Sequence, residues 1–129
     1  MADAVRKYKI IYIPKDGGEP EIREIEGEAT TIGLRPLQQL VEGNIEYAPL
    51  QISPYKLDLY INDEGLFTHN LNIYIPLEGG GGVYSLHGPV VVCKGDGEGN
   101  TIGLTDRECE MLLPFFQHCR KASESRISR

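Results

Sequence analysis

Apolar side chains along this chain follow two spacings, and the places where one gives way to the other mark its elements. From Tyr8 to Ile13 nearly every residue is β-branched or aromatic. Tyr8, Ile10 and Tyr12 fall on one face of an extended chain and Ile11 and Ile13 on the other, which predicts an interior strand. Pro14–Pro20 has turn composition. Glu21–Glu26 returns as a second strand, and Ile22 and Ile25, three apart, imply a bulge or an edge position. The spacing then changes. Leu37, Leu40 and Val41 stand at i, i+3 and i+4, with Leu34 extending the stripe backwards, and this predicts a short amphipathic helix. Pro36 suits its first turn and Gly43 a left-handed stop just past its end. Ile45-Glu46-Tyr47 alternates again.

Further along, Pro49 and Pro54 bracket an expected loop. Leu57, Leu59 and Ile61 alternate cleanly toward a core, and Asn62-Asp63-Glu64-Gly65 is a turn with Gly65 available for a positive φ. Leu66 and Phe67 read as the start of a return strand. Asn70–Pro76 holds an apolar run whose period does not separate helix from strand. Glu78–Gly82 is a glycine loop, followed by Val83–Leu86. Pro89–Cys93 is the most buried-looking strand, and Asp96–Asn100 turns it back onto Thr101–Leu104. Thr105 and Glu108 form a capping box opening a helix that buries Cys109, Leu112, Leu113 and Phe116, with Pro114 set to kink or restart it. Strands and helices do not alternate regularly. The expectation is therefore α+β: a small mixed, mainly antiparallel sheet with two helices at about 34–42 and 105–120. Residues 1–119 form one expected domain, and 120–129 a basic, disordered tail whose segment Ser123–Arg129 is polar and frayed.

Composition changes this picture only at its margins. The chain has 129 residues, 40% of them hydrophobic and 25% charged, enough for a core without covalent staples. Three widely spaced cysteines do not make a disulfide framework, and reduced thiols in the cytoplasm are the expectation. No apolar run is long enough to span a membrane, and Met1–Lys7 has no signal-peptide core. The net charge is −6; residues 120–129 carry +3, so residues 1–119 carry −9. That balance argues against binding nucleic acid through the body of the domain, although an acidic face could imitate a duplex. A basic tail behind an acidic body is also compatible with a homodimer.

Candidate chemistry is sparse. His69, His87 and His118 lack metal-ligand spacing to one another or to a cysteine, so no metal site and no cofactor is expected. Cys93 and Cys109 read as small buried hydrophobes; a pairing of Cys93 with His69 or His87 in space is the remaining nucleophile arrangement. Asp58 with Asn62, Asp63 and Glu64 lacks the alternating ligands of a calcium loop. Gly79–Gly82 opens no helix and has no lysine where a phosphate loop needs one. Asn70 and Asn72, beside the Asn62–Glu64 turn, could orient a polar ligand at a sheet end, although the turn preferences of asparagine favour hydrogen bonding to nearby backbone. The candidate ligand-binding residues are therefore Asn62, Asp63, Glu64, Asn70 and Asn72, and no catalytic residue is assigned.

Several of these stretches, in order, resemble one family. They are Leu40-Val41-Glu42-Gly43-Asn44-Ile45-Glu46, Tyr60-Ile61-Asn62-Asp63-Glu64-Gly65, Leu71-Asn72, Gly88-Pro89-Val90-Val91-Val92, and Gly99 through Leu104-Thr105-Asp106. Together they resemble the domain of unknown function 3846 across about Tyr8–Cys119. The chain departs from that pattern at Gly79–Gly82 and at Ile73, where an arginine is expected. The resemblance implies a phage, plasmid or mobile-element context, with relatives in large DNA viruses, and no established activity. With no catalytic motif and an acidic body, the expected function is non-enzymatic binding of a host or viral protein. The alternative is a small-molecule or nucleotide-binding domain built from Asn62–Asn72 and Gly79–Gly82.

Overall fold

The structure, a computed structural model, describes residues 5–127. The elements run β1 (Val5–Ile13), β2 (Glu21–Glu28), α1 (Leu34–Val41), β3 (Ile45–Ile52), β4 (Tyr55–Asn62), α2 (Gly65–Thr68), β5 (Leu71–Pro76), β6 (Val83–His87), β7 (Val90–Gly95), β8 (Thr101–Ile102) and α3 (Asp106–Glu124). One antiparallel sheet has the order β2-β1-β7-β4-β3, with β8 beside β7, and β5-β6 form a separate hairpin. The fold is α+β, with three α-helices among the described residues where the sequence pattern predicts two.

Two apolar clusters, one on each face of the sheet, account for its form. Tyr8, Ile10 and Tyr12 pack with Val91, Cys93, Leu37 and Val41 under α1, while Ile11, Ile13, Leu57, Leu59 and Val92 pack with Ile73, Ile75, Leu112 and Phe116 under β5 and α3. The doubly apolar β1 and β7 are interior because both of their faces are covered. β2 is an edge strand in unbroken register with β1, so edge position and not a bulge explains its spacing. The Thr105–Glu108 capping box forms in both directions.

Several expectations are corrected. Pro49 lies inside β3, opposite Asp58, and not in a loop. β3 is the other edge of the sheet, where a missing N–H costs little. Leu66 and Phe67 belong to α2 and not to a return strand. The left-handed residue after α1 is Glu42, at φ 65°, and not Gly43. Gly43 is needed for a different reason: a Cβ there would lie 2.6 Å from Asn62 Nδ2. Gly65 has no positive φ; its bare Cα lets α2 sit against the His87 carbonyl, 2.8 Å from where a Cβ would stand. Leu34 is exposed, and Ile32 fills that end of the α1 core instead. α3 runs unbroken through Pro114 to Glu124, burying Cys119, Arg120 and Ser123, so the fold does not give way to a tail at residue 120. Ser123 is no frayed end: its hydroxyl donates to Cys119 O and accepts from Tyr74 N. Of the expected tail, Ser128 and Arg129 lie outside the described residues, as do Met1–Ala4 of the expected domain.

Candidate functional site

The predicted site residues gather at one end of the sheet, where the amides of Asn62 and Asn72 are turned inward and that of Asn70 stays at the surface. Asn62 closes β4. Its Nδ2 donates to the Val41 and Glu42 carbonyls, which α1 leaves unpaired at its end, and its Oδ1 accepts from Glu64 N at 2.8 Å. Asp63 and Glu64 are exposed in the turn that follows. Asn70 donates to Asp16 in the β1–β2 loop at 3.1 Å.

Asn72 goes furthest inward. It stands where the β5–β6 register slips between Leu71 and Ile73, so it has no ladder partner. Its Nδ2 donates to Pro14 O and Gly88 O, and its Oδ1 accepts from Gly17 N. Arg120, only 1% exposed, completes the cluster: Nη1 donates to Asn72 O and Nη2 to Asn72 Oδ1, both at 2.6 Å, and Nε donates to Gly18 O at 3.0 Å. This buried polar hub ties the β1–β2 loop, β5, the β6–β7 turn and α3 together. The bonds reach across the fold, so Asn72 does not serve local backbone as turn preferences suggest. Sequence reasoning missed Arg120 by placing it in the tail. Its signal was helical spacing, since Arg120 continues the stripe of Leu112 and Phe116 at i+8 and i+4.

Outside this hub lies a charged brace. Glu42 Oε1 accepts from Lys15 Nζ at 2.9 Å and stands 3.1 Å from His69 Nε2, while His69 Nδ1 is 2.9 Å from Thr68 Oγ1. A hydroxyl, an imidazole and a carboxylate in series are the parts of an activated nucleophile. Here, however, the Thr68 hydroxyl donates to Glu64 O at 3.0 Å, so its proton is committed to its own helix. The hydrogen bonds from Lys15 and His69 hold the Glu42 carboxyl below its usual range, and the bond to Glu42 raises Lys15. The Glu42 contribution to stability is therefore present above the unfolded carboxyl range and is lost as pH falls through the lowered folded value. The Lys15 contribution is lost only as pH rises through its own raised value. In Lys15→Met, Glu42 is expected to titrate higher, back toward the ordinary carboxyl range, as followed by NMR of its side-chain carboxyl.

The same end carries the most exposed large apolar side chains. Leu66 is 68% and Phe67 85% exposed, side by side on α2. The helix beneath them is held tightly by Gly65 against His87 O, by His87 Nδ1 near His69 O, and by Gly88 (φ 79°), whose missing Cβ would meet the His69 ring at 2.9 Å. The exposed Asp63 and Glu64 directly precede this helix, Glu42 contacts His69 just after it and is paired with Lys15, and Asp16 accepts from Asn70. The signal in the sequence was two adjacent apolar residues that continue neither the β4 alternation nor a helical stripe.

Other candidates lie apart. Gly79–Gly82 caps the far end of the β5–β6 hairpin from Asn72, so the two do not line one site. Cys93 is buried against Asp58 O, and burial pushes its thiol far above the usual range; it bonds to neither His69 nor His87. Burial likewise pushes Cys119 up to about 11. Among the described residues, no group of three His, Cys, Asp or Glu is placed to hold a metal ion, and no helix is long and apolar enough to cross a membrane.

A search of curated proteins and a search of solved structures each give no match. The model of a family described as "Domain of unknown function (DUF3846)" matches residues 8–117. Its span takes in α1, the Asn62–Asn72 segment, the β6–β7 turn and most of α3, and with that span the chain belongs to the DUF3846 family.

Proposed function

We propose that the protein acts by binding a protein partner through the α2 surface, with Leu66 and Phe67 as anchors. The observation that carries this reading is the exposure of two adjacent large apolar side chains on a helix braced from below. Exposed apolar residues scattered singly need no explanation, but a rigid adjacent pair has the form of an interface anchor. Burying both would contribute about 3–5 kcal/mol. The exposed carboxylates of Asp63 and Glu64 beside this helix suit a partner pocket rimmed by lysine or arginine, which would speed encounter at low salt. The mobile-element context implied by the family resemblance makes a host or viral protein the expected partner. Three buried free cysteines suit a reducing cell interior. A small-molecule role draws little support from Asn62 and Asn72, whose amides are taken up inside the fold.

The test places a photo-crosslinking benzoylphenylalanine at position 67 or, as a control, at the exposed Met111 on α3, in the source cell. One protein joined at position 67 and absent at 111 is the expected result. The same adducts at both positions, no adduct at 67, or only a second copy of the chain would overturn the reading.

A further inference from the structure

A second, separate surface lies on the α1 side of the sheet, beyond the end of α1. The helix covers Ile45 and Tyr60 but leaves Tyr47, Pro49, Lys56 and Asp58 uncovered. These residues line an open groove of about 520 Å³, walled by Gly95 at the end of β7 and Gly97 in the β7–β8 turn.

Its floor is built and not merely bare. Tyr47 is 53% exposed, and its ring rests on Tyr60 with centroids 5.9 Å apart. Tyr60 is fixed in turn by a hydrogen bond between its hydroxyl and Thr101 Oγ1 at 2.9 Å. Asp58 projects from β4 beside this step, half-buried, and its carboxylate lies 3.4 Å from where a Gly95 Cβ would stand. Partial burial, then the nearby Asp58 charge, then hydrogen bonding with the Asp58 side chain push the Tyr47 hydroxyl above its usual range, so the carboxylate stands at the edge of the Tyr47 ring. Among the described residues no lysine, arginine or histidine forms an ion pair with Asp58.

We infer that this groove receives an arginine side chain of a partner protein, its guanidinium stacked on Tyr47 and hydrogen-bonded to Asp58. A carboxylate at the edge of an exposed tyrosine matches a planar cation with in-plane donors, and matches a compact ammonium less well. The chain makes this pairing internally: Arg23 lies 4.2 Å over the Tyr12 ring and Arg6 5.3 Å over the Tyr8 ring. The groove deepens the partner-binding role but stands without the α2 surface, which lies past the opposite end of β4.

The test titrates the isotope-labelled protein with acetyl-Gly-Arg-Gly-amide and with its lysine counterpart, reading backbone amide shifts. Shifts centred on Tyr47, Asp58 and Gly95–Gly97 are expected. Binding should be about fivefold weaker for the lysine peptide, and also for Asp58→Asn and Tyr47→Ala, both partly exposed positions. Phe67→Ser should leave the titration unchanged, which separates this site from the α2 reading. Equal lysine binding, shifts spread over all acidic positions, or an unaltered response in Asp58→Asn would each overturn the inference.

Discussion

Arg120→Ala is expected to destabilise the protein by about 3–5 kcal/mol, through orphaned buried acceptors and the cavity left by the side chain. The guanidinium satisfies Gly18 O, Asn72 O and Asn72 Oδ1 from a position only 1% exposed. Asn72 Oδ1 would keep the Gly17 amide. Asn72 O sits at the register slip, off the β5–β6 ladder, and Gly18 O sits in the tight β1–β2 loop, so neither has a strand partner to fall back on. The midpoint of thermal unfolding should fall by about 10–15 °C. Arg120→Lys should recover little, because one ammonium lacks the planar fork that meets acceptors on two chain segments at once. Equilibrium denaturation of the three proteins checks this. A loss below about 1 kcal/mol in Arg120→Ala, the size of an ordinary surface substitution, would show that the fork is not a structural tie.

The second large effect is expected at the partner residue. Asn72→Ala removes one acceptor and two donated bonds together, leaving Gly17 N, Pro14 O and Gly88 O without this partner, and a loss of about 3–4 kcal/mol is expected. Asn72→Asp should stay destabilised. A carboxylate can still accept from Arg120 and Gly17, but it cannot donate to Pro14 O or Gly88 O. The sharper measurement is the double variant. Two residues in one hydrogen-bond network should be non-additive by about 1–3 kcal/mol, so the double variant should cost clearly less than the two singles summed. Strict additivity would mean that Arg120 and Asn72 stabilise separate parts of the chain. Amide exchange at Gly17 should also accelerate in Asn72→Ala more than exchange in central β7, since the hub anchors the β1–β2 loop and not the middle of the sheet.

Legibility in the sequence tracked distance along the chain. The faces of β1, the buried β7, the β7–β8 hairpin, the Thr105–Glu108 box and the apolar stripes of both long helices rest on contacts or periods spanning a few residues, and a linear pattern records these. Pro49 misled because a proline excludes an interior strand but not an edge strand, and edge position depends on which strands arrive later in the chain. Leu66 and Phe67 misled because apolar residues after a turn ordinarily mean a returning strand; α2 forms there because Gly65 lets the chain pack against His87, 22 residues on.

The candidate site divides in the same way. Turn chemistry at Asn62–Gly65 was readable locally, since the Asn62 side chain binds Glu64 N two residues away. The use of Asn72 was not, because its partners stand at positions 14, 17, 88 and 120. What the sequence alone determined is therefore the α+β class, the interior strands, the starts of α1 and α3, and the family. Tertiary structure decided which polar groups are spent inside and which side chains are left facing water. Arg120 and Asn72, polar by composition, are buried because each supplies the bonds the other's surroundings lack. Leu66 and Phe67, apolar by composition, are exposed because no later segment of the described chain folds over them.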